Sequence, residues 1–203
     1  MVGKYYNTPI NLKLLPYAHE VKTLNDLQKL IGNINWIRNC CGIDNRVLSP
    51  LFDLLKGDCD INAPRRLTQE AQAALSHIEG ELIKRQCHRR AEELPIQLYL
   101  CNQDPQPLAL IAQWDPSSPD PLLLLEWVFL PHQPTKTLAT RIEMFAALIR
   151  RGRERIVEIA GVKPETIVIP IVKEYLDWCL QNSLEMQLAL TGFTGCMDIH
   201  LPS

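Results

Sequence analysis

The chain has 203 residues, 46% hydrophobic and 22% charged, with 21 Lys+Arg against 23 Asp+Glu and a formal net charge of -2. That length suits one ordinary domain or two small ones, and the near-average composition excludes wholesale disorder. The charge balance excludes bulk attraction to nucleic acid, so any such binding rests on a local patch.

Three helices are predicted in the first half. Thr23 followed by Asp26 reads as a capping box that opens a helix running to about Arg38. Ser49-Pro50 places a cap residue ahead of a proline at the first helical position, and Gly57 is expected to stop that short helix. Thr68 caps the third, whose Ala71, Leu75, Ile78 and Leu82 form one apolar stripe. Residues 1–93 carry a charge of +2 and residues 94–203 a charge of -4. Eight of the fifteen prolines fall in residues 95–134, which rules out a continuous helix there and sets a boundary near Leu94.

Beyond it, IQLYL, LALIAQW and LLLLEWVFL read as strands separated by Pro/Asp turns. A long amphipathic helix follows from about Thr137 to Gly161, then the buried strand ETIVIP and a helix over Lys173–Gln181. The expected class is α+β: a three-helix bundle, then a mixed α/β unit.

No run reaches 18 uninterrupted apolar residues, and MVGKYYNTPINLKLLPY lacks the apolar core of a signal peptide. The seven cysteines are odd in number and form no C-x-x-C pair, so they read as reduced thiols in a cytoplasmic protein. The five histidines show no H-E-x-x-H, and the phosphate-loop, dinucleotide and nucleophile-elbow motifs are missing. Motifs of chemistry alone show no active site, and no metal or cofactor is expected in this chain.

The first helix has an unusual face. At 100° per residue with Gln28 at zero, Leu27, Leu30, Ile31, Ile34 and Ile37 fall on one side as a core stripe. Gln28, Gly32 and Trp36 (i, i+4, i+8) fall at roughly 0°, 40° and 80°, on the polar side, flanked by Asn25, Lys29 and Asn35. A glycine costs about 1 kcal/mol relative to alanine in a helix interior, and no core crowding accounts for it there. Two readings stand. Trp36 covers a neighbouring loop or domain, or the strip is a contact surface. In the second, glycine admits close approach, tryptophan supplies flat apolar area, and Gln, Asn and Lys supply hydrogen bonds. The wide, shallow minor groove of an A-like duplex fits such a strip.

Leu24–Arg38, LNDLQKLIGNINWIR, resembles the thumb signature of retroviral reverse transcriptases, and more narrowly the Pol polyprotein of betaretrovirus-like, endogenous-retrovirus-K type elements. The resemblance continues in order through LSPLFDLLKGD (48–58), RRLTQEA (65–71), LEWVFLPH (125–132), ETIVIPIVKE (165–174), GFTG (192–195) and HLP (200–202). It implies a remnant of the palm–thumb junction over residues 1–19, a thumb over 20–93 and an incomplete connection subdomain over 94–203. It also implies contacts to a primer–template duplex, RNA–DNA or DNA, through Gln28, Gly32 and Trp36, with Asn25 beside them. Lys29 would lie near the primer backbone, and Lys56, matched to the second helix, would face the template. The other reading of either lysine is plain solvation. The connection implies self-association or association with a polymerase subunit. Arg150, Arg151, Arg153 and Arg155 border the nucleic-acid track or form a solvated helix surface.

The departures from the family are large. Its paired carboxylates, a Tyr-x-Asp-Asp hairpin and an upstream Asp that hold two Mg2+ ions in the parent polymerase, have no counterpart. The nearest string, Tyr175-Leu176-Asp177-Trp178, puts Trp in place of the second Asp and reads as chance. The acidic cluster of ribonuclease H is also not found. The expected function is a primer–template-binding fragment of a retroviral RNA-directed DNA polymerase, inactive by itself. The alternative is a domesticated or relic interaction protein that dimerises or binds viral polymerase through apolar patches of residues 122–130.

Overall fold

The computed structural model describes residues 21–84, 87–104, 106–130 and 139–200. These fall into two compact units, 21–87 and 88–200.

The first unit holds α1 (Leu24–Cys41), α2 (Asn45–Asp53) and α3 (Gln69–Lys84). The expected capping box opens α1: the Thr23 hydroxyl accepts from the Asp26 N–H at 3.3 Å, and the Asp26 carboxylate accepts from the Thr23 N–H at 3.0 Å. Gly42 ends it at φ 67, a left-handed geometry that favours glycine, so that the last helical residue, Cys41, lies three residues beyond the expected stop. The expected start of α2 is corrected. Asp44, whose carboxylate accepts from the N–H groups of Arg46 and Val47, is the cap, and Pro50 lies inside the helix. A proline there removes one backbone bond. Leu48 and Leu51, 1% and 0% exposed, hold the turn in place through core packing. The helix ends at Asp53 and not at Gly57, which turns the following loop at φ 104. Thr68 accepts from the Ala71 N–H at 3.2 Å, as its capping role requires. Ala71, Leu75 and Ile78 then pack against Leu27, Leu30, Ile31, Ile34, Leu48 and Leu51. The side chain of Leu82 lies outside the described residues.

The loop between α2 and α3 returns to the start of α1. The Leu24 N–H donates to the Ala63 carbonyl at 2.9 Å, Asn25 to Ile61 at 3.0 Å, and Arg65 to Lys22 at 2.8 Å. A helix leaves its first N–H groups without partners inside the helix. Here the loop accepts two of them.

The second unit contains a sheet of β1 (Ile96–Cys101), β2 (Leu108–Trp114), β3 (Leu122–Val128), β4 (Thr166–Ile169) and β5 (Cys196–Ile199) in the order β3-β2-β1-β4-β5. The first three strands form an antiparallel meander, while β4 runs parallel to β1 and β5 parallel to β4. The helices α4 (Arg141–Ala160), α5 (Lys173–Asn182) and α6 (Leu184–Leu190) supply the connections that parallel strands need. Thr140 and Glu143 form a second capping box on α4, and Gly161 ends it; the expected start at Thr137 lies outside the described residues. A Cβ on Gly152 of α4 would stand 2.5 Å from Leu98 Cδ1, so the glycine lets helix and sheet approach. Gln113 is fully buried, and its amide accepts from the Ala91 N–H at 2.8 Å and donates to the carbonyls of Ala91 and Leu94 at 2.7 and 2.6 Å. It ties the segment before β1 to the sheet. The molecule is thus α+β, a three-helix bundle followed by a mixed α/β unit.

Candidate nucleic-acid interface

The outward face of α1 follows from its buried one. Leu27, Leu30, Ile31, Ile34 and Ile37 are at most 5% exposed, which fixes the helix rotation. Gln28, Lys29, Gly32 and Asn35 are then exposed, and Asn25 is half-buried at the first turn. A Cβ at Gly32 would meet nothing within 4 Å. Neither packing nor a positive φ requires glycine there. Trp36 belongs to α1, but its side chain lies outside the described residues. At the start of the strip, Asp26 accepts from the Thr23 hydroxyl and the N–H groups of Thr23 and Lys22, which hold its carboxyl below the usual range, and Lys29 adds to this.

Lys56 does not lie on the second helix, where the resemblance placed it. It follows the end of α2, exposed, with Nζ 2.7 Å from Asp53 Oδ1. Both partners are largely solvated, so the pair contributes about 0–1 kcal/mol and does not prevent Lys56 from exchanging Asp53 for a phosphate.

The four arginines of α4 divide. Arg155 makes a two-pronged ion pair with Glu126 at 2.8 Å on both arms, and a third bond to Glu158 at 2.9 Å. The Glu126 bonds raise its pKa above the ordinary arginine value. Arg153 donates to the carbonyls of Ala189 and Thr191, satisfying groups at the end of α6, and lies 5.7 Å over the Phe193 ring. These two build the fold, which the sequence could not show because their partners, Glu158 apart, are 29 to 40 residues away. Arg150 and Arg151 are exposed.

Tyr175-Leu176-Asp177-Trp178 lies on α5, where Tyr175 and Trp178 stack with ring centroids 5.9 Å apart. A helix does not present these residues as a catalytic hairpin would. Among the described residues, no three His, Cys, Asp or Glu side chains group as a metal site. Of the strand carboxylates, Glu126 of β3 is held by Arg155, and Asp198 lies on β5 beside β4. No helix of the described residues is long and apolar enough to cross a membrane.

The described residues thus form a helical unit with an open polar face on α1 and a unit built on a five-stranded mixed sheet. The comparisons with known proteins are more specific. The family model of the reverse transcriptase thumb domain matches residues 14–76, and that of the ERVK-8-like, RNaseH-like domain matches 104–203. The chain is 34% identical over 192 residues to the Gag-Pro-Pol polyprotein of Mason-Pfizer monkey virus, covering 95% of this chain and 10% of that one. It is 37% identical over 186 residues to that of Squirrel monkey retrovirus, with 90% and 10% covered. For Sheep pulmonary adenomatosis virus the identity is 34% over 200 residues, with 98% and 11% covered. The chain belongs to the betaretroviral Pol family, as a reverse transcriptase thumb followed by an RNaseH-like domain. It spans about a tenth of the length of these relatives. The stretch matched by the RNaseH-like model lies within the segment read as connection.

Proposed function

We propose that the first unit binds a primer–template duplex, an RNA–DNA hybrid foremost, through the outward face of α1, and that the chain does so without polymerase or nuclease chemistry of its own. The supporting observation is Gly32, an exposed helix-interior glycine with open space above it, opposite a fully buried stripe. Gln28 and Asn25 would donate and accept along the groove, Lys29 and Lys56 would neutralise phosphates, and Trp36 would supply flat contact area. Contacts to phosphate and groove hold a duplex of any sequence, as a polymerase needs. The subdivision into a junction remnant (1–19), thumb (20–93) and connection (94–203) is part of this reading. So are a cytoplasmic location and the assignment of Mg2+ to the parent polymerase alone.

The test is titration of a labelled RNA–DNA hybrid against the wild type, Gly32→Ala and Trp36→Ala. Both variants should weaken binding, Trp36→Ala by roughly 1–3 kcal/mol on the scale of base–aromatic contacts. Unchanged affinity in both, with the fold intact, would overturn the reading.

A second reading, an interaction protein, has an observation of its own. Of the surface it first suggested, residues 122–130, Leu123, Leu125 and Val128 are buried, and Leu122, Leu124, Trp127 and Phe129 are half-buried. More exposed apolar side chains include Tyr175 and Trp178 of α5 and Leu184 and Leu188 of α6, 43 to 62% exposed. Self-association, or a polymerase subunit, would be met there. Concentration-dependent sedimentation that Trp178→Lys abolishes would favour it.

A further inference from the structure

The Arg65 side chain lies under the loop that connects α2 to α3. Its Nε donates to the Leu54 carbonyl at 2.9 Å, Nη1 to Pro64 at 3.1 Å, and Nη2 to Asp58 at 2.6 Å, with a longer 3.5 Å contact to Lys56. A guanidinium has five N–H groups in a fixed plane. Three are committed to backbone carbonyls and a fourth faces that of Lys56 at the longer distance, so little is left for an outside anion. Each accepting carbonyl belongs to the loop, and one of them is that of Lys56 itself. Gly57, at φ 104, makes the turn in which these carbonyls converge; a Cβ there would stand 3.9 Å from Nη2. The Arg65 backbone is also fixed, since its N–H donates to the Lys22 carbonyl next to the α1 cap. One residue therefore connects the loop that carries Lys56 to the turn at which the α1 strip begins.

We infer that Arg65 is a positioning residue for duplex binding, which sets the place of Lys56 relative to the α1 strip and does not itself touch the duplex. The inference rests on the duplex-binding reading above. Lysine cannot replace arginine in this role, because a compact ammonium cannot span four carbonyls as a planar fork does. The neighbouring Arg66 is exposed. The two arginines of the Arg65-Arg66 pair are thus not equivalent, although the sequence presents them alike.

The experiment uses the full chain and a labelled RNA–DNA hybrid, titrated over a salt series with Arg65→Lys, Arg65→Met, Lys56→Ala and the double variants. Loss of one phosphate contact lowers the logarithmic salt slope by about 0.7–0.9. Arg65→Lys and Arg65→Met should each lower it by about that amount, as Lys56→Ala does, and the double variants should lower it no further. A direct phosphate contact predicts otherwise: Arg65→Lys would retain affinity because the charge is kept, and Arg65→Met with Lys56→Ala would lower the slope by about twice as much. That result overturns the inference. So does unchanged hybrid affinity in Arg65→Lys together with faster amide exchange at Leu24, Asn25 and Ala63, which would leave Arg65 a structural tie only. If Arg65→Met does not fold, Arg65→Lys decides alone, since it keeps the charge and loses the fork. A wild type that binds no hybrid is a different failure, that of the duplex reading.

Discussion

With nothing within 4 Å of a Cβ at Gly32, alanine can enter without moving any atom of the protein. On helix propensity alone, Gly32→Ala should stabilise the fold by up to about 1 kcal/mol. A duplex lying on the strip would meet the added methyl group, so affinity should fall as stability rises. Those opposite signs separate a contact strip from an idle surface more sharply than a loss of both would. Six positions before it, Asp26 has a consequence at low pH. The hydrogen bond from Thr23, with those of the two backbone N–H groups, holds its folded pKa below the unfolded value of about 3.9. A group depressed in the folded state stabilises it above the unfolded pKa, and that contribution is lost as pH falls through the folded pKa. Asp26→Asn should therefore lower the urea midpoint at neutral pH, and its difference from wild type should shrink as the pH drops below about 4. A difference that persists at pH 2 would show that the carboxylate charge is not what the cap uses.

Among the elements, those with repeated local signals could be read from the sequence. Two residues of a capping box located the start of α1, and the 100° spacing of five apolar residues fixed its rotation and hence the strip. The three meander strands were legible through their apolar runs and Pro/Asp turns. The start of α2 was misread because the Ser-Pro pair obeys a local rule that core packing of Leu48 and Leu51 overrides. Neither α6 nor β5 was expected: one has seven residues and the other four, and β5 is mostly exposed, so neither shows a period long enough to detect. In the candidate site, the face of α1 was visible, but the displacement of Lys56 beyond α2 was not, because it follows from where that helix stops. Gln113 was hidden for a further reason. Polar residues in strands are usually solvent-facing, and its partners lie 19 to 22 residues earlier. Its removal is informative. Gln113→Leu would leave the Ala91 N–H and the carbonyls of Ala91 and Leu94 without partners, at about 1–3 kcal/mol for each group that stays buried. A loss of several kcal/mol in the thermal or urea midpoint is expected, and a loss below about 0.5 kcal/mol would show that water replaces the amide.

For the whole molecule, charge sets the limit on how tightly a duplex can be held. The net charge is -2, and two of the four α4 arginines are committed to internal partners. Lys29 and Lys56 of the first unit, with the exposed Lys22 and Arg66 at most, leave two to four cations for phosphates. Each neutralised phosphate contributes about 0.7–0.9 to the slope of log affinity against log salt, so the chain should show a slope of roughly -1.4 to -3.6. Its affinity should sit in the non-specific range, about 10⁻⁴–10⁻⁶ M at physiological salt, and should not depend on sequence. The donor set requires no divalent ion for this, so a chelator in monovalent salt should leave the affinity unchanged. The same molecule should incorporate no nucleotides on a primed template, because among the described residues no three His, Cys, Asp or Glu side chains group to hold metal ions. A slope steeper than about -6 would mean that the duplex meets many more cations than the α1 strip and its neighbours provide. The binding surface would then have to be sought on another face of the protein.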